Sequence, residues 1–253
     1  MAMSLQLFKG AESVAEFDFP LADIRDTYEE IARAQEEVGG SVVYRVKIAS
    51  GGGKTFEIVT GDEDMDTSVQ KFSGVIIYAH LCNARFDEDA PRGMPPVCSS
   101  IDAKVGVIEG TGIRSRCKEC PYNEYKTDKN GRGKACKNMV RLYIMTEGMP
   151  IPLVLTLPPT SIKAYQTYHT SSLATRKLTP AHVVTEFSLE QKTAASGDKY
   201  SVVKLKLLGK LSEAQCEVAD YFGKSIRMAQ QNAAITDEDY NRGDDNEEAH
   251  DAE

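Results

Sequence analysis

The chain has 253 residues, 41% hydrophobic and 27% charged, with 6 cysteines and a formal net charge of −8. That is enough chain to bury a sizeable core. No apolar run approaches the ~20 residues that cross a bilayer, and Met1–Leu5 lacks the basic-then-apolar pattern of a secretory signal. The acidity is unevenly placed: residues 1–103 carry −9, 104–210 carry +10, 211–236 carry −1 and 237–253 carry −8, so a uniformly acidic surface is excluded.

Leu21, Ile24, Tyr28 and Ile31 fall on one face of a helix predicted over 20–37, which Gly39-Gly40 ends. Val42, Tyr44, Val46 and Ile48 alternate with Arg45 and Lys47, and Ser50-Gly51-Gly52-Gly53 then turns the chain into a second strand over 55–60. Further strands are predicted over 72–80, 104–108, 140–145, 151–157, 182–190 and 200–208, the last two joined through Gly197-Asp198. Pro158-Pro159-Thr160 opens a short helix over about 160–174. Ser212 and Gln215 match a capping box before a helix that buries Val218, Phe222, Ile226 and Ala229. Residues 237–253 are nearly devoid of apolar side chains and read as a disordered acidic tail. Together these predict a mainly β, α+β fold, a single domain over 1–236 built on an antiparallel sheet or barrel with flanking helices.

Residues 81–137 are too many for an ordinary loop, and the cysteines explain how they stay ordered. Cys98, Cys117, Cys120 and Cys136 are spaced by 18, 2 and 15 residues in a polar, glycine-rich stretch that offers little core. A Cys-x2-Cys knuckle with one further cysteine on each side supplies the four thiolates of a tetrahedral ion. Zinc is the expected metal, with an iron–sulfur cluster as the second reading because Pro121 follows Cys120. Four thiolates leave no open coordination position, so such a site is structural. Cys82 is the alternative fourth ligand, and Cys216 reads as packing on the last helix.

Around the cysteines stand Arg114, Arg116, Lys118, Lys126, Lys129, Arg132, Lys134, Lys137 and Arg141, interleaved with Tyr122, Tyr125 and Tyr143. Cations follow a phosphate backbone and aromatic faces stack on unpaired bases, so this pattern predicts a surface for single-stranded nucleic acid. Alternation places Arg141 and Tyr143 on the face opposite Val140, Leu142 and Ile144, and puts Lys204 and Lys206 on one face of their strand. The acidic tail is expected to compete for the same basic surface at high effective concentration.

Gly51-Gly52-Gly53-Lys54-Thr55 is not a P-loop, since Ile48 stands where the first glycine belongs and a strand, not a helix, follows. Asp62, Glu63, Asp64 and Asp66 form an acidic run without a spaced partner motif, which reads as a turn. The four histidines fall into no catalytic spacing. A binding protein rather than an enzyme is expected, located in the cytoplasm.

Pro95-Pro96-Val97-Cys98-Ser99-Ser100, Cys117–Pro121, Gly133-Lys134-Ala135-Cys136-Lys137-Asn138 and Leu155-Thr156-Leu157-Pro158-Pro159-Thr160-Ser161 resemble stretches of bacteriophage-encoded single-stranded DNA-binding proteins. Val184–Leu189 and Tyr200–Lys204 belong to the same pattern, so the resemblance covers about residues 95–210. It implies an elaborated OB-like barrel with a zinc-stapled insertion, sequence-independent single-stranded DNA binding in phage replication or recombination, and a place in the host cytoplasm. It also implies a recombinase, annealase or polymerase partner for the tail. The tail ends Ala249-His250-Asp251-Ala252-Glu253, without the terminal aromatic that such partners read. Two alternatives stand beside this reading. One is a protein-binding modulator that mimics DNA to inhibit a host nuclease or polymerase, and the other is a metal-dependent nuclease using the Asp62–Asp66 run. Oligomeric state is left open between monomer and homo-oligomer.

Overall fold

The computed structural model describes residues 14–37, 43–60, 64, 66–87, 89–90, 94–194 and 197–229. The expected acidic tail over 237–253, and Asp62 and Glu63 of the acidic run, lie outside the described residues. In chain order the elements are α1 (Arg25–Glu37), β1 (Tyr44–Ile48), β2 (Phe56–Val59), β3 (Thr67–Val69), β4 (Lys71–Arg85), β5 (Cys98–Ser100), β6 (Val105–Ile108), β7 (Arg114–Arg116), β8 (Cys136–Met145), β9 (Leu153–Leu157), α2 (Pro159–Thr167), β10 (Val183–Thr193), β11 (Lys199–Lys210) and α3 (Glu213–Ala229). After α2 the chain continues through a π turn over Tyr168–Leu173 and a 3-10 turn over Ala174–Arg176.

The fold is mainly β. One sheet runs β3-β2-β1-β9-β8-β4-β5-β6-β7, and the β10–β11 hairpin joins it on β4. An antiparallel barrel was expected, and the sheet differs in two respects. β1 and β9 pair in parallel, Tyr44 opposite Leu153 and Val46 opposite Leu155, which makes the sheet mixed. The path ends on β3 and β7 without joining them, so among the described residues the sheet stays open.

β4 organises the molecule because it serves three partners in turn. Its first residues pair with β10 (Lys71 opposite Ser188), its length from Val75 to Arg85 pairs with β8, and its end from Asn83 to Arg85 pairs with β5. A bulge between Ile76 and Tyr78 inserts Ile77 and re-aims the side chains that follow. The hairpin β10–β11 then crosses back over the sheet, where Gln191 Nε2 donates to the Gly52 carbonyl (2.9 Å) and Ser201 Oγ donates to the Gly53 carbonyl (2.8 Å). The glycine segment is thus the turn its sequence predicts, with Gly51 and Gly52 at φ of 61° and 74°.

Both faces of the sheet are buried where β4, β8 and β9 form its middle. On one, Val75, Ile77, Tyr143, Met145 and Val154 pack against Val218, Ala219, Phe222 and Ile226 of α3 and against Phe19 and Leu21. On the other, Ile76, Val140, Leu142, Ile144 and Leu155 meet Phe187, Leu189 and Val203 of the hairpin, with Ile162 and Tyr165 of α2 alongside. Phe72 stacks on Phe187 at 4.8 Å and meets Phe56 edge-on at 5.1 Å.

α3 begins as its capping pattern indicates, with Gln215 N–H donating to Ser212 Oγ (3.4 Å). The reciprocal half of the box is diverted: Gln215 Oε1 accepts from the Leu21 amide at 2.6 Å and so ties the N-terminal segment to the helix. Ala229, expected inside, is exposed at the helix end. The helix lies close on β4 because Gly223 has no side chain; a Cβ there would stand 2.5 Å from the Ile77 carbonyl oxygen. Gly223→Ala is therefore expected to push α3 off the sheet and to cost about 1–3 kcal/mol. A lower urea midpoint with an unchanged m-value reads this directly.

Candidate metal centre and nucleic-acid interface

The segment over 81–137 grows out of the sheet. β4 and β8 continue side by side past the end of β9, whose last rung sets Leu157 opposite Val140. On this overhang Arg85 stands opposite Cys98 of β5 on one side and opposite Cys136 of β8 on the other. Directly opposed residues share a face, so the register of three strands brings Cys98, Arg85 and Cys136 to one side. That side is also the α2 side, since Cys136, Asn138, Val140 and Leu142 alternate with Lys137, Met139 and Arg141.

The knuckle closes over them. Cys117–Glu119 and Pro121–Asn123 form successive 3-10 turns. The Cys117 amide donates to the Lys104 carbonyl (2.8 Å), and Asn123 Nδ2 donates to the Cys117 carbonyl (2.9 Å). Gly106 faces this pocket: a Cβ there would lie 2.9 Å from Cys98 Sγ and 3.7 Å from Cys117 Sγ. Asp102 fixes the loop before β6 by accepting from Ser100 Oγ and from the Lys104 and Val105 amides, which hold its carboxyl below the usual range against the opposing effect of burial.

Two of the thiols, Cys98 and Cys136, feel their neighbours. Burial above all pushes the Cys136 thiol up to about 12, and Cys117, Cys120 and Cys98 raise it further while Arg85 opposes them. Burial also raises Cys98, followed by Cys117 and Cys120. Among the described residues no three His, Cys, Asp or Glu side chains are set so that they could hold an ion as they stand. The four cysteines are thus gathered at one end of the sheet, Cys98 and Cys117 flanking Gly106, without forming a closed shell. The donor set is right in kind for a thiophilic tetrahedral ion, and the glycine cradle leaves room beside two of its members. Cys82 is not part of it. It is fully buried with Ala84, Phe86 and Met139 in a small core on the opposite face of β4.

The tyrosines of the knuckle are exposed, Tyr122 at 46% and Tyr125 at 75%. Each carries a cation: the Arg85 guanidinium lies 4.1 Å from the Tyr122 ring centroid and Lys134 Nζ 5.2 Å from that of Tyr125. Lys134 Nζ also donates to Asn123 Oδ1 (3.2 Å) and Asn138 Oδ1 (3.0 Å), neutral acceptors that leave its charge uncompensated. Arg114 and Arg116 lie exposed on β7 opposite Val107 and Val105, and Arg116 meets Glu119 at 3.2 Å. Lys126 is exposed at φ 69°, Arg132 is exposed, Lys137 is half-buried, and Lys129 meets Asp89 at 2.6 Å.

Two expected contact residues are not on the surface. Tyr143 is 1% exposed and Arg141 3% exposed. The alternation that separates them from Leu142 and Ile144 is real, but the second face is covered too, by α3 and the N-terminal segment. Tyr143 instead stacks within a row of rings, 5.6 Å from Tyr78 and 6.0 Å from His80. Lys204 and Lys206 do share the exposed face of β11, yet Lys204 Nζ meets Glu190 at 3.3 Å and Lys206 stands opposite Glu186. Their charge is partly met by neighbours. Asp66, from the acidic run, accepts from the Thr60 amide (2.7 Å) and hydroxyl (3.0 Å), as a turn residue does.

Sequence reasoning passed over Arg85 and Gly106. Arg85 lies close to Cys82 in the chain, but its place between two cysteines depends on register, and Gly106 matters only once Cys98 and Cys117 are neighbours. No family model, curated protein or solved structure matches the chain. No helix among the described residues is long and apolar enough to cross a membrane.

Proposed function

We propose that the protein binds single-stranded DNA without regard to sequence, through a ribbon that a zinc ion staples to the end of the sheet. The observation that carries this reading is the pairing of two exposed tyrosine rings with cations beside the segment that bears the four cysteines. Exposed rings offer stacking faces that every base can use, and cations that lack carboxylate partners favour phosphates. Cys98, Cys117, Cys120 and Cys136 would hold the ion, which supplies charge neutralisation and fixed geometry rather than reactivity. An OB-like relationship belongs to the same proposal, for the part of the sheet where β4 pairs in turn with β10 and β8.

The test is oligo-dT binding at a series of salt concentrations. Affinity is expected to fall steeply with salt, with log K declining by about 0.7 per log salt for each phosphate contacted, and deletion of residues 237–253 is expected to strengthen binding. Salt-independent binding, or a deletion that weakens it, counts against the reading. The modulator alternative predicts instead a protein that ignores oligo-dT and retains a host factor.

A further inference from the structure

A cleft of about 490 Å3 opens between the ribbon, the start of α2, β1 and the start of β11. Four lysines from separate elements line it: Lys47 of β1, Lys134 and Lys137 of the ribbon, and Lys163 of α2. Asp128 is the one acidic residue among its lining residues, and both its oxygens are engaged, accepting the Arg132 and Gly133 amides at 2.7 Å each. Lys134 is held by amide oxygens, and no carboxylate pairs with Lys47 or Lys163 among the described residues, although Glu57 lies across the strand pair from Lys47. Tyr125 and Tyr200 supply rings at its rim, and Cys136 is in its wall.

We infer that this cleft seats a short stretch of the single-stranded backbone, with Lys47 and Lys163 on successive phosphates and a base against Tyr125 or Tyr200. The inference rests on the single-strand reading above but moves its centre. The outer face of the ribbon carries cations partly met by Glu119 and Asp89, whereas Lys47, Lys134 and Lys163 converge on the cleft with no carboxylate paired to them among the described residues, inside walls that focus their field. Its volume suits a small ligand segment. Because Cys136 stands in the cleft wall and opposite Arg85 on the strand that also faces Cys98, stapling the ribbon would also set the cleft's width.

The experiment compares the full chain with Lys47→Ala/Lys163→Ala and with Lys177→Ala/Lys224→Ala, which removes the same charge away from the cleft. The probe is oligo-dT over a salt series, with thermal melts to confirm folding. The cleft variant is expected to lose about tenfold in affinity at low salt and to flatten the salt dependence by roughly 1.4 in log–log slope, two single-strand contacts' worth. The control variant should match the wild type. Single Lys163→Ala, at an exposed position on α2, should show about half of the slope change. Photo-crosslinking with a 5-bromodeoxyuridine oligonucleotide should place adducts on Tyr125 or Tyr200. A wild type that binds while the cleft variant retains both affinity and slope overturns the cleft and leaves the single-strand reading standing. A wild type that fails to bind overturns both. Competition by inorganic phosphate or dTMP as strong as by the oligonucleotide overturns the strand assignment in favour of a mononucleotide site.

Discussion

If the wild type carries the proposed stoichiometric zinc, Cys117→Ser protein should emerge from anaerobic purification without it. The serine hydroxyl is not deprotonated near neutral pH and replaces a soft thiolate by a poor ligand, so a four-sulfur shell is left with three donors. Structural zinc contributes on the order of 10–16 kcal/mol of apparent binding energy that is also folding energy for the segment it closes. The loss should be confined to that segment. The two main core clusters contain none of the four cysteines, so thermal unfolding of the sheet should change less than the rate of proteolysis between residues 98 and 136. Cys82→Ala and Cys216→Ser should keep the metal, since Cys82 is buried on the far face and Cys216 packs on α3. Elemental analysis with limited proteolysis decides it: a metal-free wild type, or loss of zinc from Cys82→Ala equal to that from Cys117→Ser, removes the staple.

Tyr143→Ala should destabilise the fold by about 3–5 kcal/mol, the cost of deleting a large buried aromatic side chain. Tyr143 is among the largest fully buried side chains, wedged between Tyr78, His80 and the residues of α3. Denaturant titration gives the stability change. Oligo-dT binding, corrected for the fraction folded, should be unchanged, because the ring is not available to a base. A variant of wild-type stability that binds oligo-dT poorly would instead restore Tyr143 to the surface role its strand pattern suggests.

That contrast shows what the sequence made legible. Alternation located β1, β2, β6, β8 through β11 and most of β4, and the apolar spacing of Val218, Phe222 and Ile226 located α3. Alternation gives two faces but says nothing of what covers each. Arg141 and Tyr143 read as an outward row only on the assumption that one face meets water. β3, β5 and β7 span three residues each, too short for a period to register. The parallel pairing of β1 with β9 joins segments more than 100 residues apart and is decided by which apolar faces are left to cover, not by either segment alone. The spacing showed the cysteines grouped along the chain, but it could not show that Cys98 and Cys117 flank Gly106 while Cys82 lies in a separate core. Three residues of separation along a strand put Cys82 and Arg85 on opposite faces, and only the register shows which face the knuckle covers.

The overhang of β4 and β8 makes the ribbon a beam clamped at one end. Its clamp is the Val140–Leu157 rung, and beyond it, among the described strands, β5 braces the free edge of β4 over Asn83 to Arg85. Between clamp and tip, Cys82, Ala84, Phe86 and Met139 stiffen one side, while the thiol pocket loads the other. Loosening the tip therefore bends the beam about its root, and a wall of the lysine-lined cleft moves with it. On the single-strand reading, order at the cysteines and the gap available to the strand would become a single mechanical variable.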